Sequence, residues 1–342
     1  MVDQTLAQLS NQFVYSAIAV YACALVAYAV DLSGFGAGAR RSAGRLNRLA
    51  VAAGGGTPHL RPPEQPIEEP AGEPRIPDGA PGGGPAPARR RAAGIAVSLT
   101  WLAFVLHAAG VASRGLAAER APWGNMYEFA VTGAMVVTGA FLVVLLRHDV
   151  RWLGAFVVGP VLLTLGLAVA VLYTEDAQLV PALRSYWLMI HVSVAFIATA
   201  LFTLGFSITV LQLVQDRRES RRAAGRAPGR AAFMDRLPPS AELERLAYRM
   251  HVVAFPLWTF AVIAGAIWAQ AAWGRYWNWD PKEVWSFVVW VVYAGYLHAR
   301  ATRGWFGRRA AYLAMAGYAC VLFNFGVVNV FLVGWHSYAG IG

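Results

Sequence analysis

WLGAFVVGPVLLTLGLAVAVLY, residues 152–173, runs for 22 positions without one charged side chain. About 20 apolar residues in a helix span the ~30 Å hydrocarbon core of a bilayer. There the backbone must satisfy its own hydrogen bonds, so such a run is expected to cross as a helix. Working outward, seven more apolar segments repeat the pattern, near 12–32, 94–112, 126–146, 187–214, 250–271, 284–300 and 310–333. The composition agrees. Of 342 residues, 57% are hydrophobic and 14% charged, against about 25% charged in soluble domains. The expected fold class is an all-α integral membrane protein with eight transmembrane helices.

The net charge of +10 would by itself suit nucleic acid, but its distribution argues against that partner. With the N-terminus outside, 24 of the 29 basic residues fall in inner loops. Only Arg114, Arg120, Arg184, Arg275 and Lys282 fall outside. The positive-inside rule produces this bias, and a wrong helix count would scramble it. Both termini are therefore expected on the extracytoplasmic side. Residues 1–11 hold Asp3 and no Lys or Arg, unlike the start of a cleavable signal peptide, so the first helix is read as retained.

Residues 1–32 thus carry the first transmembrane helix. The stretch 33–93, which includes PRIPDGAPGGGPAPARRR, cannot bury a core and is expected to be a disordered cytoplasmic loop. Residues 94–342 are expected to form one seven-helix membrane domain, with a short amphipathic helix near 240–248 in its Arg-rich inner loop. Cys23 and Cys320 both lie in apolar runs without C-x-x-C spacing. They read as small buried residues, not a redox pair. No Walker motif, Gly-rich nucleotide loop or zinc spacing is present.

The densest chemistry lies in WGRYWNWDPKEVWSFVVW, residues 273–290. Trp and Tyr gather at headgroup level in any membrane protein, yet a belt would spread over many helix ends. Here Trp273, Tyr276, Trp277, Trp279 and Trp285 crowd one outer loop, 273–285. A dense aromatic surface suits a large, flat, apolar ligand. Asp280, Pro281 and Glu283 spell a capping box that starts the next helix. Asn125 and Glu128 in PWGNMYEF repeat that grammar before the helix at Met126. A helix N-terminus favours anions. Together with Lys282 and Arg275, the one beyond Asp280 can hold a group such as a propionate.

Of seven histidines, His59 and His148 sit in polar inner loops and read as solvated. His251, beside Arg249, reads as an ordinary residue at the inner end of its helix. Ionisable groups within the membrane are costly and point to function. His191 and His336 fall on the same outer side as the tryptophans, a plausible axial pair for haem iron. His298, in YLHAR, lies one helix-length below them, either an internal ligand or a residue bonded within the bundle. His107 is a weaker candidate of that kind.

Taken together, WGRYWNWDPKEVWSFVVWVVYAGYLHAR resembles the WWD signature of haem-handling proteins. FGVVNVFLVGWHSYAG and PWGNMYEF are similar to the CcsA/ResC branch of System II cytochrome c biogenesis. The resemblance runs from the second helix onward and does not include the insertion. It implies a subunit of a cytochrome c synthase in the bacterial cytoplasmic membrane, working with a ResB/Ccs1-type partner. Haem b, as bound substrate, passes to the outer WWD site for thioether attachment to C-x-x-C-H apocytochromes c. His191 and His336 map onto the external iron ligands and His298 onto an internal one, whose counterpart the partner supplies. Trp273, Trp277, Trp279, Asp280 and Trp285 belong to the haem-binding loop. No acid–base catalytic residue is required of this chain. The rival readings are a CcmC-type haem delivery protein, which has six helices, and a non-haem transporter whose loop binds lipid or sugar.

Overall fold

The computed structural model describes residues 4–33, 87–174, 185–226 and 232–336. Their helices are α1 (Gln4–Ser33), α2 (Pro87–Ala117), α3 (Met126–Arg147), α4 (Gly154–Val171), α5 (Tyr186–Ala223), α6 (Ser240–Trp273), α7 (Pro281–Arg303), α8 (Arg308–Phe325) and the short α9 (Val327–Phe331). There is no strand among the described residues. Seven spans are long and apolar enough to cross a membrane: α1 to α6, and α8 continued by α9. The sequence expectation of eight differs at α7, whose Trp285, Trp290, Tyr293, Tyr296 and His298 lower its hydropathy.

Six of the eight apolar segments read from the sequence lie within one of these helices, while 152–173 overruns both ends of α4 and 310–333 runs from α8 through α9; several helices run further. The expected separate helix near 240–248 is the first turns of α6, which continues unbroken to Trp273. Glu219 of α5 anchors that start by accepting hydrogen bonds from the Ser240 N–H (3.0 Å) and hydroxyl. α2 begins at Pro87, so residues 87–93 are helical, contrary to the loop expected there. Residues 34–86, which hold the rest of that loop and His59, lie outside the described residues. Both thiols are free: Cys23 is exposed, where burial was expected, and Cys320 is half-buried against the core of α5 to α8.

Small residues let the helices approach closely, as is usual where lipid supplies no hydrophobic drive. Gly110 of α2 lies against Phe13 and Val14 of α1, and its carbonyl accepts from the Ser10 hydroxyl at 2.7 Å. Gly154 at the start of α4 abuts the Tyr28 ring, and Gly317 of α8 faces the Tyr293 ring of α7. One core joins α1 to α4 with a face of α5, and a second joins α5 to α8. α5 runs against α6, and α1 against α2, along much of their length.

The eight long helices alternate in direction. At one end Arg236 donates to the Asp31 and Leu32 carbonyls of α1. Arg308 pairs there with Asp216, and Arg300 with Glu244. At the other end lie Arg114, Arg120, the tryptophan loop, Asn329 and His336. These are called below the arginine end and the tryptophan end.

Candidate functional site

At the tryptophan end the chain after α6 turns through Gly274, whose φ of +73° ends that helix in the left-handed region that glycine tolerates. Asp280 then starts α7 as expected, in a full capping box. Its Oδ1 accepts the Lys282 N–H at 3.1 Å, while Glu283 Oε2 accepts the N–H groups of Asp280 (3.1 Å) and Asn278 (2.8 Å). The same carboxylate has a second task that capping grammar does not disclose. Oδ1 accepts the His336 Nδ1–H at 2.8 Å, and Oδ2 accepts the Trp335 N–H at 2.6 Å. Burial opposes the Asp280 charge, but the His336 hydrogen bond and charge, with the two N–H groups, outweigh it and hold the carboxyl below its usual range. Gly334 completes the closure, since a Cβ there would collide with Asp280 Oδ2.

His191 is held from another direction. Its Nδ1 donates to the Ala261 carbonyl of α6 at 2.7 Å. Gly265, one turn on, leaves room for the ring, which a Cβ would meet at 2.8 Å. The Trp268 indole lies nearly parallel to this imidazole (8°, centroids 6.2 Å apart) and edge-on to His336 at 5.5 Å. Trp273 packs on His336 at 4.9 Å. Carbonyl and carboxylate oxygens only accept, so both histidines carry a proton on Nδ1, and Nε2 is the nitrogen left for a metal. That is the arrangement in which outer partners orient metal-binding histidines.

Both rings line one cleft among α3, α5, α6, α7 and α8. About 930 Å³ of empty space lies within it, open solvent at the mouth included. Ala195, Ala261, Ala266 and Ala269 make narrow walls, and Trp277 and Tyr276 stand at the mouth. A second lobe of about 640 Å³ shares His191, His336, Lys282 and Phe129 and is closed by Trp123, Asn125 and Met126.

The structure thus brings His191, His336, Trp273, Trp277 and Asp280 to one place. It sets Trp285 against Phe323, with centroids 4.0 Å apart. Trp279, with a φ of +59°, turns outward and is 72% exposed. His298 lies exposed near the arginine end of α7, about 25 Å along the helix from Asp280. His107 is buried between α1 and α2 beside Tyr21. His251, read as unremarkable, is fully buried among Phe202, Tyr293 and Tyr296. Trp268 was not singled out, because inside an apolar run a tryptophan looks like any other span residue.

The two cations grouped in the sequence separate. Arg275 lies over the Trp335 ring at 4.4 Å. Lys282 lines both lobes, its Nζ donating to the Asn324 carbonyl and to Asn329 Oδ1, each at 2.9 Å. Asn125 caps α3 through the Glu128 N–H at 2.8 Å. The expected return bond goes elsewhere: Glu128 accepts the Gly124 N–H at 2.8 Å and binds Arg114 and Arg120 in a buried cluster.

Fold and site define a multi-pass helical membrane protein with an aromatic, histidine-lined cleft at one end of its bundle. The chain matches the family described as Cytochrome C assembly protein over residues 123–336. It is 32% identical over 297 residues to the cytochrome c biogenesis protein CcsA of Picosynechococcus sp., covering 72% of this chain and 86% of that protein. To the CcsA of Prochlorococcus marinus subsp. pastoris it is 36% identical over 245 residues, 67% and 78% of the two chains. Among solved structures it shares the fold of the cytochrome c haem lyase CcmF, with a TM-score of 0.56 and 16% identity. That match covers 99% of this chain, which spans about half the length of the lyase (51%). The chain belongs to the cytochrome c assembly protein family, whose relatives are cytochrome c biogenesis proteins.

Proposed function

We propose that this protein is the haem-handling subunit of a System II cytochrome c synthase, and that the cleft at the tryptophan end is its WWD site. Haem b is held there as substrate, with His191 and His336 as axial ligands through Nε2. The observation that carries this reading is the pair of Nδ1–H bonds, to the Ala261 carbonyl and the Asp280 carboxylate, which leave two Nε2 atoms for a metal at one cleft. Trp273 and Trp277 flank the macrocycle, and Trp279 and Trp285 complete and brace the loop.

In this reading all eight long helices cross the bacterial cytoplasmic membrane, with both termini and the cleft on the extracytoplasmic face. His298, exposed on α7, is an internal ligand completed by a ResB/Ccs1-type partner. Two thiols of a C-x-x-C-H apocytochrome add across the haem vinyl groups, each S–H delivering its sulfur to one carbon and its hydrogen to the other. That addition requires no nucleophile from this chain. Its residues bind the ring, orient it and keep the iron ligated until the incoming histidine displaces one of theirs.

The test is the reduced-minus-oxidised absorption spectrum of the protein purified with its ResB-type partner, as wild type and as a His191→Ala/His336→Ala variant. A six-coordinate b-type spectrum that is lost or weakened in the variant is expected. An identical spectrum in both would move the haem to His298 or the partner. No haem in either would defeat the reading.

A further inference from the structure

Lys282 is the only lysine among the 29 basic residues, and it stands where a cation is least welcome. It lies in the first turn of α7, at the positive end of the helix dipole. Its ammonium is also withdrawn into a mainly apolar cleft. Burying a charge is costly unless it is paired, and among the described residues this one has no carboxylate partner. Asp280 gives its oxygens to His336, Trp335 and the Lys282 backbone N–H, and Glu283 Oε2 accepts the Asn278 and Asp280 N–H groups. Two of the three ammonium hydrogens go to Asn324 and Asn329. The third has no acceptor among the described residues, and the side chain borders both lobes of the cleft beside the two histidines.

We propose that Lys282 is the receptor for a carboxylate of the bound porphyrin, so that one haem propionate is drawn into the cleft and sets the ring's rotation about the axial His191–His336 line. This deepens, and rests on, the reading of the cleft as the haem site. Asn324 and Asn329 position the ammonium and leave one N–H directed by them. A lysine suits the task better than an arginine, because a compact, three-donor charge can keep two protein bonds and still offer one to a ligand. Fixing one propionate fixes where the vinyl edge lies, which attachment of two thiols at defined carbons requires. A lipid phosphate is the other source of an anion at this depth, and the choice of probe separates the two.

Full-length protein in detergent is titrated with ferric protoporphyrin IX and with its dimethyl ester, following the Soret band. Wild type is expected to bind the diacid more tightly than the ester by roughly ten- to hundredfold, the range of a charge-assisted hydrogen bond. Lys282→Met is expected to lose that preference while keeping the bis-histidine band positions, and Lys282→Arg to restore part of it. Lys282→Gln, which keeps donors for Asn324 and Asn329, serves if the Met variant does not fold. Equal binding of diacid and ester by wild type overturns the proposal, as a lipid phosphate on the ammonium would produce. So does a preference that survives removal of the ammonium. If neither porphyrin gives a histidine-ligated spectrum, the haem-site reading fails as well, an outcome distinct from equal affinities.

Discussion

At the scale of single residues, Asp280 joins two functions that one substitution can separate. Asn is as good an N-cap as Asp, and with its oxygen in the place of Oδ1 it still accepts the Lys282 N–H. Its amide nitrogen then stands in the place of Oδ2 and meets the Trp335 N–H donor to donor. His336 Nδ1 faces a neutral amide oxygen in place of a carboxylate, so the charge that orients the ring and raises its basicity is gone. Asp280→Asn is therefore expected to keep the start of α7 while its affinity for ferric protoporphyrin IX falls by roughly ten- to hundredfold, the usual effect of losing an outer partner of a metal-binding histidine. Unchanged affinity in a Soret titration would show that the carboxylate serves only as a cap. The histidines themselves were legible in the sequence, because ionisable rings beside apolar runs stand out. The capping role of Asp280 was legible too, since it is local. Its bond to His336 spans 56 positions and exists only once α8 and α9 bring the chain back. The tryptophans differ in the same way: composition gathers them, and only packing distinguishes Trp273 on His336 from Trp285 on Phe323.

At the scale of elements, the second capping motif shows how a local reading can be half right. Asn125 does cap α3, but Glu128 belongs to a cluster that ties the end of α2 and the loop before α3 to the cleft. Its side chain has no solvent exposure, and those of Arg114 and Arg120 have 5% and 9%. Arg114 also donates to the Thr174 carbonyl at 2.7 Å, beyond α4. The loop so clamped presents Trp123, which closes the second lobe. Removing one partner of a buried ion pair strands the other charge at a cost of about 3–5 kcal/mol. Glu128→Gln strands two guanidinium groups, so the purified protein is expected to melt several degrees lower and to bind haem more weakly. A melting temperature equal to that of wild type would mean that the cluster is hydrated and contributes little. Helix extents show a related lesson. Hydropathy marks where α5 and α6 are apolar, yet both run on into polar sequence, because nothing in 215–223 or 240–249 breaks a helix and Glu219 meets Ser240 across the gap.

At the scale of the whole molecule, the arginines and the fold make independent statements that meet. Charge counting sorts the loops into two sides without reference to contacts. The contacts sort the helix ends into two groups without counting charges by loop. Both place Arg236, Arg300 and Arg308 together and Lys282, Arg275 and Arg114 apart from them. α7 is the helix on which hydropathy and packing differ. Between Glu283 and Arg300 its 16 residues contain no Asp, Glu, Lys or Arg, about 24 Å of helix, but their aromatic and histidine content lowers their hydropathy. Such a helix can cross if its polar edges are turned inward, as most are: Tyr293 and Tyr296 are buried against α5 and α6, the Trp290 N–H donates to Thr259 of α6 at 2.9 Å, and His298 turns outward only near the arginine end. α7 is thus expected to span as part of the bundle, held by its neighbours more than by its own apolarity. In a Cys23→Ser/Cys320→Ser background, an impermeant maleimide added to intact cells should label Asn278→Cys, and should label Arg303→Cys only after the membrane is opened. Labelling of both from outside would leave α7 on one face. It would also put α8 out of alternation and separate His298 from the inner side, removing the topological basis for an internal ligand there.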